Sequence, residues 1–167
     1  MNYMKINPND IANGEGVCVS VFVSGCSHRC VGCFNPEAWD YEAGEKFTWD
    51  TIRQIMDAIS QNGILRNLSI LGGEPLDPQN RTSVAGLISE ARKTYGDEIK
   101  IYLWTGYVYE DLLENAVGDL GYILNNIDFL IDGPYVESLK DITLKLRGSS
   151  NQRIIPLKNW QKLKKML

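Results

Sequence analysis

The chain contains 167 residues, of which 44% are hydrophobic and 23% are charged, a composition typical of a globular protein and unlike that of a disordered chain. Its 17 basic and 21 acidic residues give a net charge of −4, which argues against a broad nucleic-acid-binding surface. No apolar run approaches ~18 residues, so no membrane span is predicted, and the N-terminus lacks the apolar core of a signal peptide. One domain covering residues 1–167 and a cytoplasmic location are expected.

The hydrophobic pattern predicts strands that alternate with helices. A first strand is predicted at residues 18–24, and a helix is predicted to begin after Thr48 as N-cap and to end at Asn62-Gly63. Further strands are predicted at residues 67–71, 99–104, 127–131 and 153–157, and further helices within residues 79–95, 109–116 and, as a short basic tail, 158–167.

This alternation indicates a parallel sheet with right-handed crossovers. Because a closed (β/α)8 barrel needs at least ~200 residues, the expected fold is an α/β sheet of about five or six strands that is open or forms a partial (β/α) barrel.

Four unusual loops each follow the end of a predicted strand. The first is a loop at residues 25–36 with three cysteines (the cysteine loop), and the others are GGEP from Gly72, TGY from Thr105 and DGP from Asp132. The carboxyl ends of parallel strands lie at one edge of a sheet, where ligands bind. The four loops are therefore expected to share one site.

The cysteine loop carries Cys26, Cys30 and Cys33 in the spacing Cys-x3-Cys-x2-Cys. Three thiolates can ligate three irons of a [4Fe–4S] cluster and leave the fourth iron open to a substrate or cofactor. A structural zinc ion needs a fourth ligand, which here would be His28 or Cys18. His28 lies between two of the cysteines, and Cys18 lies at the start of the preceding strand. The spacing favours iron–sulfur chemistry and leaves zinc as the alternative.

The GGEP segment has two interpretations. Its paired glycines let the backbone approach a ligand closely, so a side chain at Gly73 is expected to intrude on that ligand. The carboxylate of Glu74 can accept hydrogen bonds from an ammonium group. Taken by itself, however, the segment favours an ordinary strand-to-helix turn.

The cysteine spacing combined with GGEP resembles the radical S-adenosylmethionine superfamily. Within it, the chain is similar to the glycyl-radical activating enzymes of anaerobic ribonucleotide reductase. The similar stretches are FVSGC from Phe22, CFNPEAW from Cys33, LWTGY from Leu103, IDG from Ile131 and RGSSNQR from Arg147. They occur in the family's order, and the last of them favours this family over other small members.

The resemblance implies that the three cysteines hold a [4Fe–4S] cluster, that an electron donor such as flavodoxin or ferredoxin reduces it, and that S-adenosylmethionine is cleaved to a 5′-deoxyadenosyl radical. The radical would take a hydrogen from a glycine of the large subunit of anaerobic ribonucleoside-triphosphate reductase. That subunit is expected to dock near Arg147, Arg153 and the lysine-rich tail. The implied contacts with S-adenosylmethionine are Gly32, Cys33, Phe34, Gly72, Gly73, Glu74, Thr105 and Asp132.

Some positions depart from the superfamily pattern or keep a second interpretation. Gly32 stands where many members carry an aromatic residue, and Phe34 is expected to supply that surface. Cys18 is interpreted as a small buried hydrophobic residue, and His28 as a loop residue that faces solvent or the partner. Thr105 and Asp132 are equally interpretable as turn caps.

Three alternative functions also remain. They are activation of another glycyl-radical enzyme, radical chemistry on a small molecule and a non-enzymatic zinc-binding adaptor.

Overall fold

The computed structural model describes residues 1–158. Its strands are β1 (Asn2–Asp10), β2 (Cys18–Val23), β3 (Glu45–Lys46), β4 (Asn67–Gly72), β5 (Ile101–Trp104), β6 (Phe129–Asp132) and β7 (Arg153–Pro156). Its α-helices are α1 (Trp49–Ile59), α2 (Pro78–Tyr95), α3 (Tyr109–Glu114) and α4 (Gly118–Asn126). The predicted tail helix lies, from residue 159 onwards, outside the described residues.

The strands form one seven-stranded sheet in the order β3-β1-β2-β4-β5-β6-β7. The four central strands β2, β4, β5 and β6 are parallel, whereas β1, β3 and β7 pair antiparallel at the two sides. The sheet does not close into a barrel, so the prediction of an open α/β fold is confirmed. The prediction of five or six strands missed β1 and β3, since β1 is polar and half-exposed and β3 has only two residues.

The two faces of the sheet differ. The side chains of Val19, Leu68, Ile101 and Leu130 are completely buried in one apolar core with residues of α1, α2 and α4. Val21 and Val23 of β2 also lie in this core, and because side chains alternate along a strand, Phe22 between them points to the opposite face. Helices thus cover one face, and the second face is available to a ligand site.

The start of α1 follows the predicted capping. The backbone N–H of Thr51 donates to Oγ1 of Thr48, and the N–H of Thr48 donates back to Oγ1 of Thr51. The helix ends at Ile59, and Asn62 then adopts a left-handed φ of 59° in the turn that follows. Among residues 1–158, no helix is both long enough and apolar enough to cross a membrane.

Candidate functional site

The four strand-end loops meet around a cavity of about 890 Å³. Each loop contributes to its wall, with Cys26, Gly73, Thr105 and Gly133 among the lining residues. Phe22, on the sheet face opposite the helices, also lines the cavity. The expectation that these loops share one site is confirmed.

The three cysteines of the cysteine loop all line this cavity as partly buried, reduced thiols. Burial raises the pKa of the Cys26 thiol, and the negative charges of Glu74 and Asp77 act in the same direction. Within residues 1–158, no three His, Cys, Asp or Glu side chains converge closely enough to hold a single metal ion. In a [4Fe–4S] cluster each thiolate binds a different iron, which allows wider spacing. Three thiolates on one loop therefore fit such a cluster.

Neither candidate for a fourth zinc ligand is placed to act. Cys18 is completely buried at the start of β2, at the edge of the sheet opposite to the cysteine loop. Nε2 of His28 lies 2.9 Å from Oε2 of Glu74, and its ring centroid is 4.5 Å from that of Tyr107. The expectation that His28 faces solvent is wrong, because its side chain is 20% exposed and is held between Glu74 and Tyr107. Its contact with a partner stays a prediction, since His28 also lines the cavity.

The carboxylate of Glu74 is buried and joins three of the loops. Oε1 accepts hydrogen bonds from Oγ1 of Thr105 and from the backbone N–H of Leu76, each at 2.8 Å. Oε2 accepts from the backbone N–H of Gly106 at 2.7 Å and pairs with His28. This hydrogen bond raises the pKa of His28 above its ordinary value, although burial opposes the shift. The carboxylate thus accepts hydrogen bonds from the protein's own donors, and these bonds connect the loops.

Thr105 and Asp132 occupy different positions relative to the cavity. Thr105 lines it, and its hydroxyl also accepts a hydrogen bond from the backbone N–H of Tyr107. Asp132 is buried and is not among the described residues that line the cavity. Its carboxylate accepts from the backbone N–H of Tyr109, at the start of α3, and from the guanidinium of Arg153. In this structure Asp132 therefore acts as a turn cap.

Phe34 provides an aromatic wall at the mouth of the cavity. Its side chain is 65% exposed and lies 5.0 Å, between ring centroids, from Tyr135. Lys140 lies on the same loop as Tyr135, after β6, and its Nζ is 5.3 Å from the Phe34 ring centroid. Gly32 has φ +74° and is not among the described lining residues; a Cβ there would overlap the Glu137 carboxylate.

Comparison with known proteins agrees with an iron–sulfur site. The chain matches the family described as "4Fe-4S single cluster domain" over residues 12–155. It is 39% identical over 155 residues to the anaerobic ribonucleoside-triphosphate reductase-activating protein of Enterobacteria phage T4, covering 92% of this chain and 93% of that protein. The chain belongs to the anaerobic ribonucleoside-triphosphate reductase-activating protein family.

Bacterial members of this family are similar at the same level. The protein of that name from Haemophilus influenzae is 37% identical, with 92% of this chain and 97% of that protein covered. The Escherichia coli K12 protein is 39% identical, with 91% and 96% covered. The family match supports an iron–sulfur cluster over the zinc alternative.

Sequence analysis missed one buried residue, Asp77, that lies behind the cavity wall and contacts three segments of the site. Asp77 is buried and contacts the cysteine loop through Ser27. Its sequence signal is that of an ordinary helix N-cap, since it directly precedes Pro78 at the start of α2. Only its contacts across the site reveal a second role.

The close approach of the cysteine loop requires glycine at position 73. A Cβ at this position would lie 2.4 Å from the carbonyl oxygen of Gly25 and 3.1 Å from that of Ala38, and backbone atoms cannot rotate away. The expectation that a side chain here intrudes on the ligand is thus incomplete, because it would first strike the cysteine loop.

Gly73→Ala is accordingly expected to lower the free energy of unfolding by about 1–3 kcal/mol. Gly86→Ala is the matched control, because Gly86 lies within α2 and a Cβ added there would have open space within 4 Å. That change is expected to stabilise the protein by about 0.5–1 kcal/mol, since alanine favours a helix. Urea denaturation measures both variants, and equal shifts would contradict the close contact at Gly73.

Proposed function

We propose that the protein activates anaerobic ribonucleotide reductase by generating a glycyl radical on its large subunit, with a [4Fe–4S] cluster and S-adenosylmethionine as cofactors. The observation that carries the proposal is the cavity that brings the three cysteines together with the GGEP segment, in a chain whose relatives are named reductase-activating proteins. The proposed unit is one domain of residues 1–167, acting in the cytoplasm.

In this proposal, Cys26, Cys30 and Cys33 hold the cluster. When bound and reduced by a donor such as flavodoxin or ferredoxin, the cluster supplies one electron that breaks a C–S bond of S-adenosylmethionine, giving methionine and a 5′-deoxyadenosyl radical that takes hydrogen from glycine. The chain's own contribution is to bind, orient and shield the reactants.

The proposed contacts with S-adenosylmethionine divide into two groups. The residues proposed to touch it directly all line the cavity, which supports the assignment: Cys33, Phe34, Gly72, Gly73, Glu74 and Thr105. Phe34 offers an aromatic face to adenine, and the GGEP backbone offers carbonyl oxygens to an ammonium group. Gly32 and Asp132 support the neighbouring loops, and any influence they have on the cofactor is indirect.

The mouth of the cavity is the proposed docking place for the reductase. A carbon radical reacts before it can diffuse, so the partner's glycine has to reach the cavity itself. Phe34 and Ile142 both line the cavity, yet their side chains are 65% and 86% exposed. Arg147 also lines it. Arg153, expected from the sequence to contact the partner, is bound to Asp132 and Glu110, and 45% of its side chain stays exposed.

The test combines the anaerobically reconstituted protein, a reductant, S-adenosylmethionine and the large subunit of an anaerobic ribonucleotide reductase. An electron paramagnetic resonance doublet of a glycyl radical is expected only when all four are present. Cleavage of S-adenosylmethionine without that signal would indicate another glycyl-radical partner or a small-molecule substrate. Absence of cleavage by a fully reconstituted and reduced protein would exclude the proposed radical chemistry.

Ile142→Asp tests the docking surface in the same assay. A charge at this exposed apolar position is expected to lower the yield of glycyl radical roughly tenfold, because interface anchors tolerate such changes poorly. Ile11→Asp is the control, since Ile11 is 79% exposed and follows β1 at the opposite edge of the sheet. If both variants reduce the yield equally, the reductase does not dock at the cavity mouth.

A further inference from the structure

The carboxylate of Asp77 is a point where three segments of the site meet. Asp77 is 1% exposed, and it accepts four hydrogen bonds. Ser27 donates its backbone N–H at 2.8 Å and its hydroxyl at 2.7 Å. The hydroxyls of Tyr41 and Tyr107 donate at 2.6 Å and 2.7 Å. A single side chain thus holds the cysteine loop, the segment that follows it and the loop after β5.

The position of Asp77 in its own helix makes these contacts unexpected. Asp77 is the N-cap residue of α2, where an aspartate usually accepts a hydrogen bond from a backbone N–H of the first turn. Here its side chain makes no such bond, and the N–H of Asn80 is satisfied by the backbone carbonyl of Asp77. The carboxylate is therefore directed away from the helix it begins and towards the cysteine loop.

Asp77 is the acceptor in all these bonds. Burial raises its pKa, but the hydrogen bonds from Tyr41, Ser27 and Tyr107 outweigh burial, so its pKa lies below the ordinary value. Burial and the bond to Asp77 raise the pKa of Tyr107 to about 12. At neutral pH the group is thus an ionised carboxylate surrounded by neutral donors.

The neighbouring residue of the loop is held in a parallel manner. His28 pairs with Glu74, and its ring lies over Gly106, where a Cβ would come within 2.5 Å of the imidazole. Ser27 and His28 are the two residues directly after Cys26. The two residues after Cys26 are therefore held by two carboxylates from one turn, whereas Arg29, which follows them, is exposed and has φ +48°.

We propose that Asp77 is a positioning residue that holds Ser27, and with it the first half of the cysteine loop, in the conformation that receives the cluster. This inference rests on the proposed ligation of the cluster by the three cysteines. Asparagine cannot replace the carboxylate, because its amide has one acceptor oxygen and an NH2 group that would face donors.

The loop is tested first in the full-length protein without cluster. Arg29 is exposed within the cysteine loop and provides a trypsin site, while Arg53, exposed in α1, reports opening of the helical layer. Asp77→Asn is expected to accelerate cleavage after Arg29 roughly tenfold and to leave the rate after Arg53 unchanged, because hydrogen bonds to a charged group are lost locally. Asp57→Asn, the same change at an exposed position of α1, is the matched control.

Ser27→Ala provides a second variant that does not alter the buried carboxylate. It removes the hydroxyl donor and keeps the backbone donor, so a smaller acceleration after Arg29 is expected. Unchanged cleavage after Arg29 in both variants would overturn the proposal. Equal acceleration after Arg29 and Arg53 would also overturn it, since Asp77 would then serve global stability.

Cluster loading gives the second readout. Iron and sulfide bound after anaerobic reconstitution are expected to fall several-fold in Asp77→Asn and to stay normal in Asp57→Asn. Normal loading of Asp77→Asn would overturn the positioning role. If the unaltered protein takes up no cluster while the trypsin result holds, the proposed ligation fails and the structural role of Asp77 in the loop remains, so the two failures are distinguishable.

Discussion

Replacement of any one of Cys26, Cys30 and Cys33 by alanine is expected to abolish the reconstituted iron–sulfur cluster. All three line the same cavity, and a cluster held by three thiolates loses its attachment when one is removed. Iron and sulfide content, together with visible absorbance under anaerobic conditions, measure the effect.

Cys18→Ala is the internal control for this experiment. Its thiol is completely buried at the far edge of the sheet, and burial raises its pKa, so it remains a neutral packing group. The variant is expected to retain the full cluster and to lose about 1 kcal/mol of stability from a small cavity. Loss of the cluster in Cys18→Ala to the same extent as in the other variants would show that the three-ligand assignment is wrong.

Arg153→Ala is expected to cause a substantial loss of stability, because it removes one partner of a buried ion pair. The guanidinium donates to the carboxylate of Asp132, with Nε 3.0 Å from Oδ1, and removing it leaves a buried charge with the backbone N–H of Tyr109 as its remaining partner. Breaking a buried ion pair costs about 3–5 kcal/mol. Because the Arg153 side chain is 45% exposed, we expect about 2 kcal/mol.

The exposed half of the same network supplies the control. Glu110 accepts two hydrogen bonds from Arg153, which hold the pKa of Glu110 at about 2. Because the pKa of Glu110 is lower in the folded than in the unfolded state, the pair of Glu110 and Arg153 stabilises the fold at pH values above the pKa of an unfolded glutamate. This contribution is lost as the pH falls towards 2. At neutral pH, Glu110→Ala is expected to be far milder than Arg153→Ala in thermal unfolding. If Arg153→Ala left stability unchanged but weakened cofactor binding, Asp132 would belong to the cofactor site after all.

The sequence predicted those parts of the site that follow from the spacing of residues along the chain. Three cysteines within eight positions must lie close together in any fold, and a loop that follows a parallel strand must lie at the carboxyl edge. The hydrogen bonds that connect the loops of the site join residues far apart in the sequence. His28 and Glu74 are 46 residues apart, and Ser27 and Asp77 are 50 apart, so no local pattern connects them.

Some helices and strands were likewise predictable from neighbouring residues, and others were not. The alternating valines of β2 and the threonine cap of α1 act through neighbouring residues, and both were predictable. α4 was not predicted, because it begins at Gly118 and contains Gly121, which weaken helix propensity, and burial of residues such as Leu120 and Ile123 against the core compensates.

The sequence by itself thus determined the α/β alternation, the cysteine spacing and the meeting of four loops at one edge, since these follow from periodicity and chain connectivity. The tertiary structure alone decided the directions of the polar side chains. In the folded protein Glu74 accepts a hydrogen bond from Thr105, Asp132 pairs with Arg153, and Asp77 accepts a hydrogen bond from Ser27. The reason is that a buried carboxylate must find hydrogen-bond donors wherever the fold brings them, and those donors come from distant parts of the chain.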